Sequence, residues 1–418
     1  MRAILDSTFG RTGCSDFAVR LWDGTWWPAP PVKPPVFTLV LKQPSSLRDL
    51  LLARDDLGPG EAYMRGDIDV EGDIHAAIAL VERLRQVHLP LPERLAIAAR
   101  LLALPRGHST TVYTAAAHTN GRLHSLRRDR SAVRHHYDVA NDFYALWLDR
   151  RMVYSCAYFA TAADDLDEAQ RQKLDYICRK LRLRAGERLL DVGCGWGALP
   201  IYAALHYGVD AVGISLSPPQ VELARERVRD AGLEKRVRIE LLDYRELRDE
   251  RGFDKIASIG MFEHVGARRA PEYFAQAWRL LRPQGVFLLH AIAGRDGVGA
   301  RPASRFSNRY VFPDHELIPI GATLKIAERC GFEVRDVESL REHYALTLRS
   351  WLRRLDAARE AAVRCASEQI YRAWRLVFAG AVHRFATGNI TVYQTLLARP
   401  AEGVSGLPLR RDDWYNER

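Results

Sequence analysis

The sequence predicts an α/β protein: a parallel sheet covered by helices on both faces, carrying a helical insertion, with a smaller α+β domain ahead of it. Three observations lead there. From residue 167 onward, apolar runs at 188–193, 209–214, 236–242, 253–259 and 285–292 alternate with helical patterns at 198–206, 218–231 and 271–282. Strands that alternate with helices build parallel sheets buried on both sides. A glycine-rich turn closes the first of these strands. Finally, 418 residues, 47% of them hydrophobic, exceed what one ordinary core accommodates.

Taken in order, residues 18–42 read as short strands. Trp22-Asp23-Gly24-Thr25-Trp26 sets an Asp-Gly turn between aromatic positions, a hairpin signal. A proline-rich connection from Pro28 to Pro35 leads to an apolar strand over 36–41, and Ser45 or Ser46 can cap a helix over 47–54. Gly58-Pro59-Gly60 is expected to break the chain before a helix over 74–88. Leu95, Ile97, Leu101, Leu102 and Leu104, beside Arg94 and Arg100, form a helical stripe. Such a stripe can lie on a membrane surface; packing on a core is the preferred reading. Residues 105–131 are polar and read as a linker or mobile loop. Leu174, Ile177, Cys178 and Leu181 recur at helical spacing before the first strand of the sheet. Beyond it, 321–331 reads as a helix ended by Gly331, 332–339 as a strand, 344–385 as the helical insertion and 390–397 as a last strand. The polar tail after Pro400 is expected to be loose. The expected domains are 1–120, a linker over 121–132, a catalytic domain over 133–400 and a tail over 401–418.

No apolar run reaches the roughly 18 residues that span a bilayer, and no secretory signal opens the chain, so a cytoplasmic enzyme is expected. Cys14, Cys156, Cys178, Cys194, Cys330 and Cys365 form no C-x-x-C pair, so neither zinc nor a disulfide framework is indicated and no metal site is expected. The net charge of +9 suits a polyanionic partner, nucleic acid or anionic phospholipid, or equally an arginine-rich solvated surface.

The sharpest local signal is Leu190-Asp191-Val192-Gly193-Cys194-Gly195-Trp196-Gly197. Gly193, Gly195 and Ala198 formally satisfy the dinucleotide fingerprint, which also demands an acid at the end of the second strand. That strand ends Gly213-Ile214-Ser215-Leu216-Ser217, with no carboxylate. Asp191 instead precedes the glycines as D-x-G-x-G-x-G, which resembles motif I of class I methyltransferases. The resemblance implies a Rossmann-like sandwich that binds S-adenosyl-L-methionine, whose ammonium and sulfonium charges suit a nearby carboxylate.

Further segments narrow the match. They are Val133-Arg134-His135-His136-Tyr137-Asp138-Val139-Ala140-Asn141-Asp142-Phe143-Tyr144, Met152-Val153-Tyr154-Ser155-Cys156-Ala157-Tyr158-Phe159, Gly260-Met261-Phe262-Glu263-His264-Val265-Gly266 and Leu288-Leu289-His290-Ala291-Ile292. With the glycine loop, they resemble the bacterial cyclopropane-fatty-acyl-phospholipid synthases and the related mycolic-acid cyclopropane synthases over about 133–397. The N-terminal part resembles the smaller lipid-facing domain of the longer synthases. Position by position, the resemblance implies cofactor contacts at Tyr154, Ser155, Gly193 and Gly195. Ser215, Leu216 and Gln220 replace the usual ribose acid, Asp243 and Tyr244 lie near the adenine, and Tyr137 sits where cofactor and substrate meet. Cys156, Glu263, His290, Ile292 (through its backbone) and Tyr344 match the family's bicarbonate-binding set.

That set suits the chemistry the resemblance implies. Methyl addition to an isolated cis double bond leaves a carbocation, and loss of a proton from the new methyl closes a three-membered ring. Alignment, exclusion of water and aromatic faces favour the first step. A bound bicarbonate can take the proton, with Tyr344 and His290 as donors and Glu263 as acceptor. Cys156 would line this cage; a nucleophilic role is the alternative, although no covalent step is needed. The expected substrate is an unsaturated phospholipid in a bilayer, reached by peripheral association with the inner membrane face, and the resemblance implies a homodimer. A C-methyltransferase making methyl- or methylene-branched chains differs only in which proton leaves. Two more distant readings are a lipid-binding protein with a vestigial site and a nucleic-acid methyltransferase. The Asn/Asp-Pro-Pro-Tyr run of base amino-methylation is absent from the sequence, so no nucleic-acid partner is expected.

Overall fold

The structure is a computed structural model that describes residues 2–53, 55–105, 121–137, 140–297 and 304–415, without the side chains of residues 85 and 134–137. It holds two sheets. The first has four strands, β1 (Phe17–Arg20), β2 (Trp26–Trp27), β3 (Phe37–Leu41) and β4 (Ile68–Gly72), in the order β2-β1-β3-β4. The Asp23-Gly24 turn joins β1 and β2 as an antiparallel pair; β1 and β3 run parallel, and β3 and β4 antiparallel. Helices Ile74–Gln86 and Leu91–Leu102 pack against this sheet's core. Asp73 caps the former by accepting from the backbone of His75 and Ala76.

Gly58-Pro59-Gly60 does not break the chain. It lies in the first turn of a helix, Leu57–Arg65, where backbone N–H groups lack intrahelical partners and proline costs little. A Cβ on Gly60 would lie 2.3 Å from the Phe306 ring, so glycine there lets the two units touch. In Leu91–Leu102, Ile97 and Leu101 enter the core while Leu91, Leu95 and Leu102 stay exposed, so the stripe is only partly a core face.

The second sheet has seven strands: β5 (Arg188–Val192), β6 (Asp210–Ser215), β7 (Val237–Leu241), β8 (Phe253–Ile259), β9 (Leu281–Gly294), β10 (Glu333–Ser339) and β11 (Ile390–Ala398). Their order is β10-β11-β9-β8-β5-β6-β7. β5 to β9 pair in parallel, and β11 is antiparallel to both neighbours. The strand order reverses beside β5, and ligand crevices form at the carboxyl ends of strands at such a point. The insertion between β10 and β11 is three helices, Arg341–Ala357, Arg359–Cys365 and Glu368–Ala386.

The linker and the tail differ from expectation. The stretch read as a linker contains a helix, Leu126–Tyr137, while residues 106–120 lie outside the described ones. The tail is not loose through 415. Trp414 is 2% exposed, with the Arg182 guanidinium 5.1 Å and the Lys180 ammonium 5.4 Å from its ring centre, and Arg182 pairs with Asp413 at 2.7 Å.

Candidate active site

The β5 turn is tied down by its neighbour strand: the N–H groups of Gly193 and Cys194 both donate to the Ile214 carbonyl, at 3.0 and 2.9 Å. Gly193 has φ 86°, and a Cβ there would sit 3.0 Å from Met261. The cleft above the turn is lined by Tyr154, Ser155, Asp191, Gly193, Gly195, Ser215, Leu216, Gln220, Asp243 and Tyr244, so every expected cofactor residue but Tyr137 borders one space. The backbone of Tyr137 ends its helix, but its side chain lies outside the described residues.

Several of these side chains hold one another. Ser215 Oγ donates to Gln220 Oε1 at 2.8 Å. Asp243 is committed to Arg245 (2.7 Å), which also reaches Asp129 (2.9 Å) on the helix Leu126–Tyr137. Asp191 is 3% exposed; burial pushes its carboxyl up to about 7 against the pull of Lys173, and its Oδ1 has no hydrogen-bond partner among the described residues. An orphaned buried carboxylate oxygen fits the cationic amino acid end of S-adenosyl-L-methionine.

Lys173 went unnoticed in the sequence. It is 1% exposed, donates to Ser155 Oγ at 2.9 Å, and burial lowers its amine to about 8. The signal was available: Lys173 and Lys180 lie seven apart, on the face of helix Leu166–Leu181 that carries Leu166, Leu174, Ile177 and Leu181.

A second, larger cavity of about 610 Å³ meets the cleft. Tyr154, Gly260 and His264 line both spaces. Burial holds the His264 imidazole down at about 4, so it is neutral there. Glu263, Ile292 and Tyr344 line the larger cavity, and aromatic rings surround this junction. Tyr154 lies 5.2 Å from Trp351, and Tyr344 lies 4.7 Å from Phe385, centre to centre.

Glu263 follows β8 on a short 3-10 turn and is 2% exposed. Its Oε1 accepts from the Ile292 N–H at 2.7 Å, its Oε2 has no partner among the described residues, and burial raises its carboxyl to about 7. Ile292 therefore does act through its backbone, but toward Glu263. Cys156 and His290 do not line the cavity; both are buried in the wall around Lys173. The Cys156 thiol donates to the Ala157 carbonyl at 3.2 Å, and burial pushes it up, away from the thiolate. His290 is 1% exposed; burial, with Lys173 and Lys180 nearby, keeps its imidazole neutral. Its Nδ1 faces Gln394 Nε2 at 3.3 Å, and its Nε2 has no partner among the described residues.

Comparison with known proteins points the same way. Residues 124–395 match the family described as Mycolic acid cyclopropane synthetase, and residues 4–89 match a Domain of unknown function (DUF7884). A "Probable fatty acid methyltransferase" of Pseudomonas putida is 38% identical over 408 residues, covering 95% of each chain. The "Cyclopropane-fatty-acyl-phospholipid synthase" of Escherichia coli K12 is 38% identical over 290 residues, 69% of this chain and 72% of its own. Among solved structures, the cyclopropane synthase MmaA2 from Mycobacterium tuberculosis aligns with a TM-score of 0.62 at 32% identity, covering 66% of this chain and 99% of its own. The mycolic acid cyclopropane synthase CmaA1, solved with SAH and CTAB, aligns with a TM-score of 0.61 at 36% identity, covering 64% and 97%.

Proposed function

The chain belongs to the mycolic acid cyclopropane synthetase family, and on that premise we propose that it builds a cyclopropane across a cis double bond in a phospholipid acyl chain. The observation that carries this reading is the meeting of the two spaces. A cleft with motif I opens at Tyr154, Gly260 and His264 onto a cavity of about 610 Å³ whose walls are mostly aliphatic and aromatic, with Glu263 buried at the boundary.

S-adenosyl-L-methionine, when bound, supplies an electrophilic methyl group. The chain's residues account for what surrounds that transfer. Asp191 offers a carboxylate oxygen to the ligand's positive end. The apolar walls exclude water that would capture an alkyl cation. The faces of Tyr154 and Trp351 offer that cation their ring quadrupoles, each worth roughly 0.5–2 kcal/mol. Glu263 Oε2, orphaned among the described residues, and Tyr344 on the same wall would hold bicarbonate, Glu263 accepting from its hydroxyl and Tyr344 donating to it, while His290 stays buried behind that wall. Bicarbonate there would supply the base for ring closure. Neutral Cys156 packs behind them. The substrate would be reached by peripheral association with a bilayer; among the described residues no helix is long and apolar enough to cross a membrane.

A second reading has its own observation. The Pseudomonas putida relative that aligns along 95% of both chains is described as a probable fatty acid methyltransferase. A methyl-branched alkene would then form from the same cation.

Incubation with methyl-labelled cofactor and vesicles of cis-monounsaturated phospholipid tests both. The two products are isomers, so proton NMR of the recovered acyl chains separates shielded ring protons from a branched alkene. Ring protons support the main reading, a branch supports the second, and absence of label in lipid overturns both. Glu263→Ala should lower turnover by at least about 10²-fold and leave S-adenosylhomocysteine affinity within about twofold. Parallel loss of both would remove Glu263 from the proton-transfer role.

A further inference from the structure

The larger cavity is not a property of the seven-stranded unit alone. Its walls include Phe9, Phe37, Leu39 and Leu80, which are core residues of the four-stranded unit, as well as Glu263 and Tyr344 beside the cofactor cleft. We propose that the N-terminal unit is part of the acyl-binding site and gauges the length of chain extending beyond the reacting double bond. This rests on the acyl-chain reading above.

The two units are locked in register, as a gauge requires. Arg372, on helix Glu368–Ala386, donates to the Tyr63 carbonyl at 2.6 Å and to the Ile68 carbonyl at 2.8 Å, and pairs with Asp69 at 3.1 Å. Arg375 donates to the Tyr63 hydroxyl at 2.7 Å. Across this seam, two helices face each other along the cavity. Helix Ile74–Gln86 presents Ile74, Ala77, Ile78 and Val81, at the i, i+3, i+4, i+7 spacing of one face. Helix Glu368–Ala386 answers with Gly380 and Ala381. A Cβ built on Gly380 would meet nothing within 4 Å, so small residues keep this stretch open.

The solved synthases are shorter than this chain, whereas the Pseudomonas putida relative aligns along 95% of it. MmaA2 aligns along 99% of its own length but only 66% of this chain, and residues 4–89 match a domain with no assigned role. The walls from Phe9 to Val81 thus lie outside the family match, which begins at residue 124. A cavity of about 610 Å³ falls within the roughly 300–1,000 Å³ typical of small-molecule sites. Its continuity with the cleft commits it to one occupant, the remainder of the chain whose double bond is presented there.

The test needs no catalysis. A polarity-sensitive fluorescent fatty acid is bound to the full-length protein and displaced by cis-monounsaturated fatty acids of increasing length beyond the double bond. Ile78→Trp and Gly380→Leu each add bulk from opposite sides. Both should weaken displacement by the longest chains about tenfold and leave the shortest unchanged. Val32→Trp, at a fully exposed position of the same unit, should keep the wild-type profile. An unchanged length profile in both cavity variants overturns the gauge. If the wild type shows the profile but labels no lipid, the acyl site stands and the proposed reaction falls.

Discussion

His290 owes its tautomer to two residues far from it in sequence. Lys180 donates to Gln394 Oε1 at 3.2 Å, which turns the amide nitrogen of Gln394 toward His290 Nδ1 at 3.3 Å. Nδ1 then accepts, and the proton sits on Nε2, the orphaned atom. Nothing in the sequence around His290 encodes this, since a histidine on an apolar strand reads as core until Lys180 and Gln394 are placed beside it. Asp191 was legible, because its place before the glycines defines the motif. Its electrostatics were not, because they depend on burial. Its carboxyl rises from an ordinary 3.8 to about 7 on folding. The folded protein therefore holds a proton that the unfolded chain releases, and the free protein loses stability as pH rises from about 4 through about 7. A ligand cation beside Asp191 reverses that cost only once the carboxylate is ionised. S-adenosylhomocysteine should thus bind roughly five- to tenfold tighter at pH 7.5 than at pH 6, since an α-amino group is still mostly protonated at both values. Lys173, at about 8, stays largely charged through that window. Calorimetric titration at both pH values checks this. Asp191→Asn should flatten the dependence, and a flat wild-type profile would refute the assignment.

At the scale of elements, periodicity located the strands of the larger sheet to within a few residues, because each is a short apolar run between turns. It failed where local signals conflict with context. Gly58-Pro59-Gly60 looks like a break, yet proline is tolerated in a first turn and Gly60 is needed where Phe306 packs. β4, Ile-Asp-Val-Glu-Gly, has only two apolar positions and forms by pairing with β3 along its whole length. The tail is the clearest case. A single tryptophan among arginines and aspartates reads as solvated, but Trp414 is buried against helix Leu166–Leu181, between cations from Lys180, Arg182 and Arg411. Trp414→Ala should lower stability to urea by roughly 3 kcal/mol, as buried aromatic truncations do. A loose tail would show a change within about 0.5 kcal/mol. An unfolding titration at fixed pH distinguishes the two.

At the scale of the whole molecule, the cavity between the sheets was beyond the sequence altogether. Each wall residue reads locally as core, and only the docking of the two units leaves space between them. That docking turns on Arg372, whose side chain is 7% exposed and whose guanidinium also lies 4.1 Å from the centre of the Tyr63 ring. Removing it takes a donor from the carbonyls of Tyr63 (which keeps the Gly66 N–H at 3.0 Å) and Ile68 and leaves Asp69 without its closest cation. Loss of hydrogen bonds from a buried charged group costs roughly 1.5–3 kcal/mol each, although Asp69 keeps solvent contact and Lys42 at 3.6 Å. Arg372→Ala should therefore uncouple the units. Calorimetric unfolding should resolve two transitions, the cofactor cleft should bind S-adenosylhomocysteine within about twofold of wild type, and lipid turnover should fall sharply, because the cavity would lose one wall while Asp191, Ser215 and Gln220 keep theirs. A variant that unfolds in one step and still modifies lipid would mean that the seam neither couples the units nor shapes the acyl site.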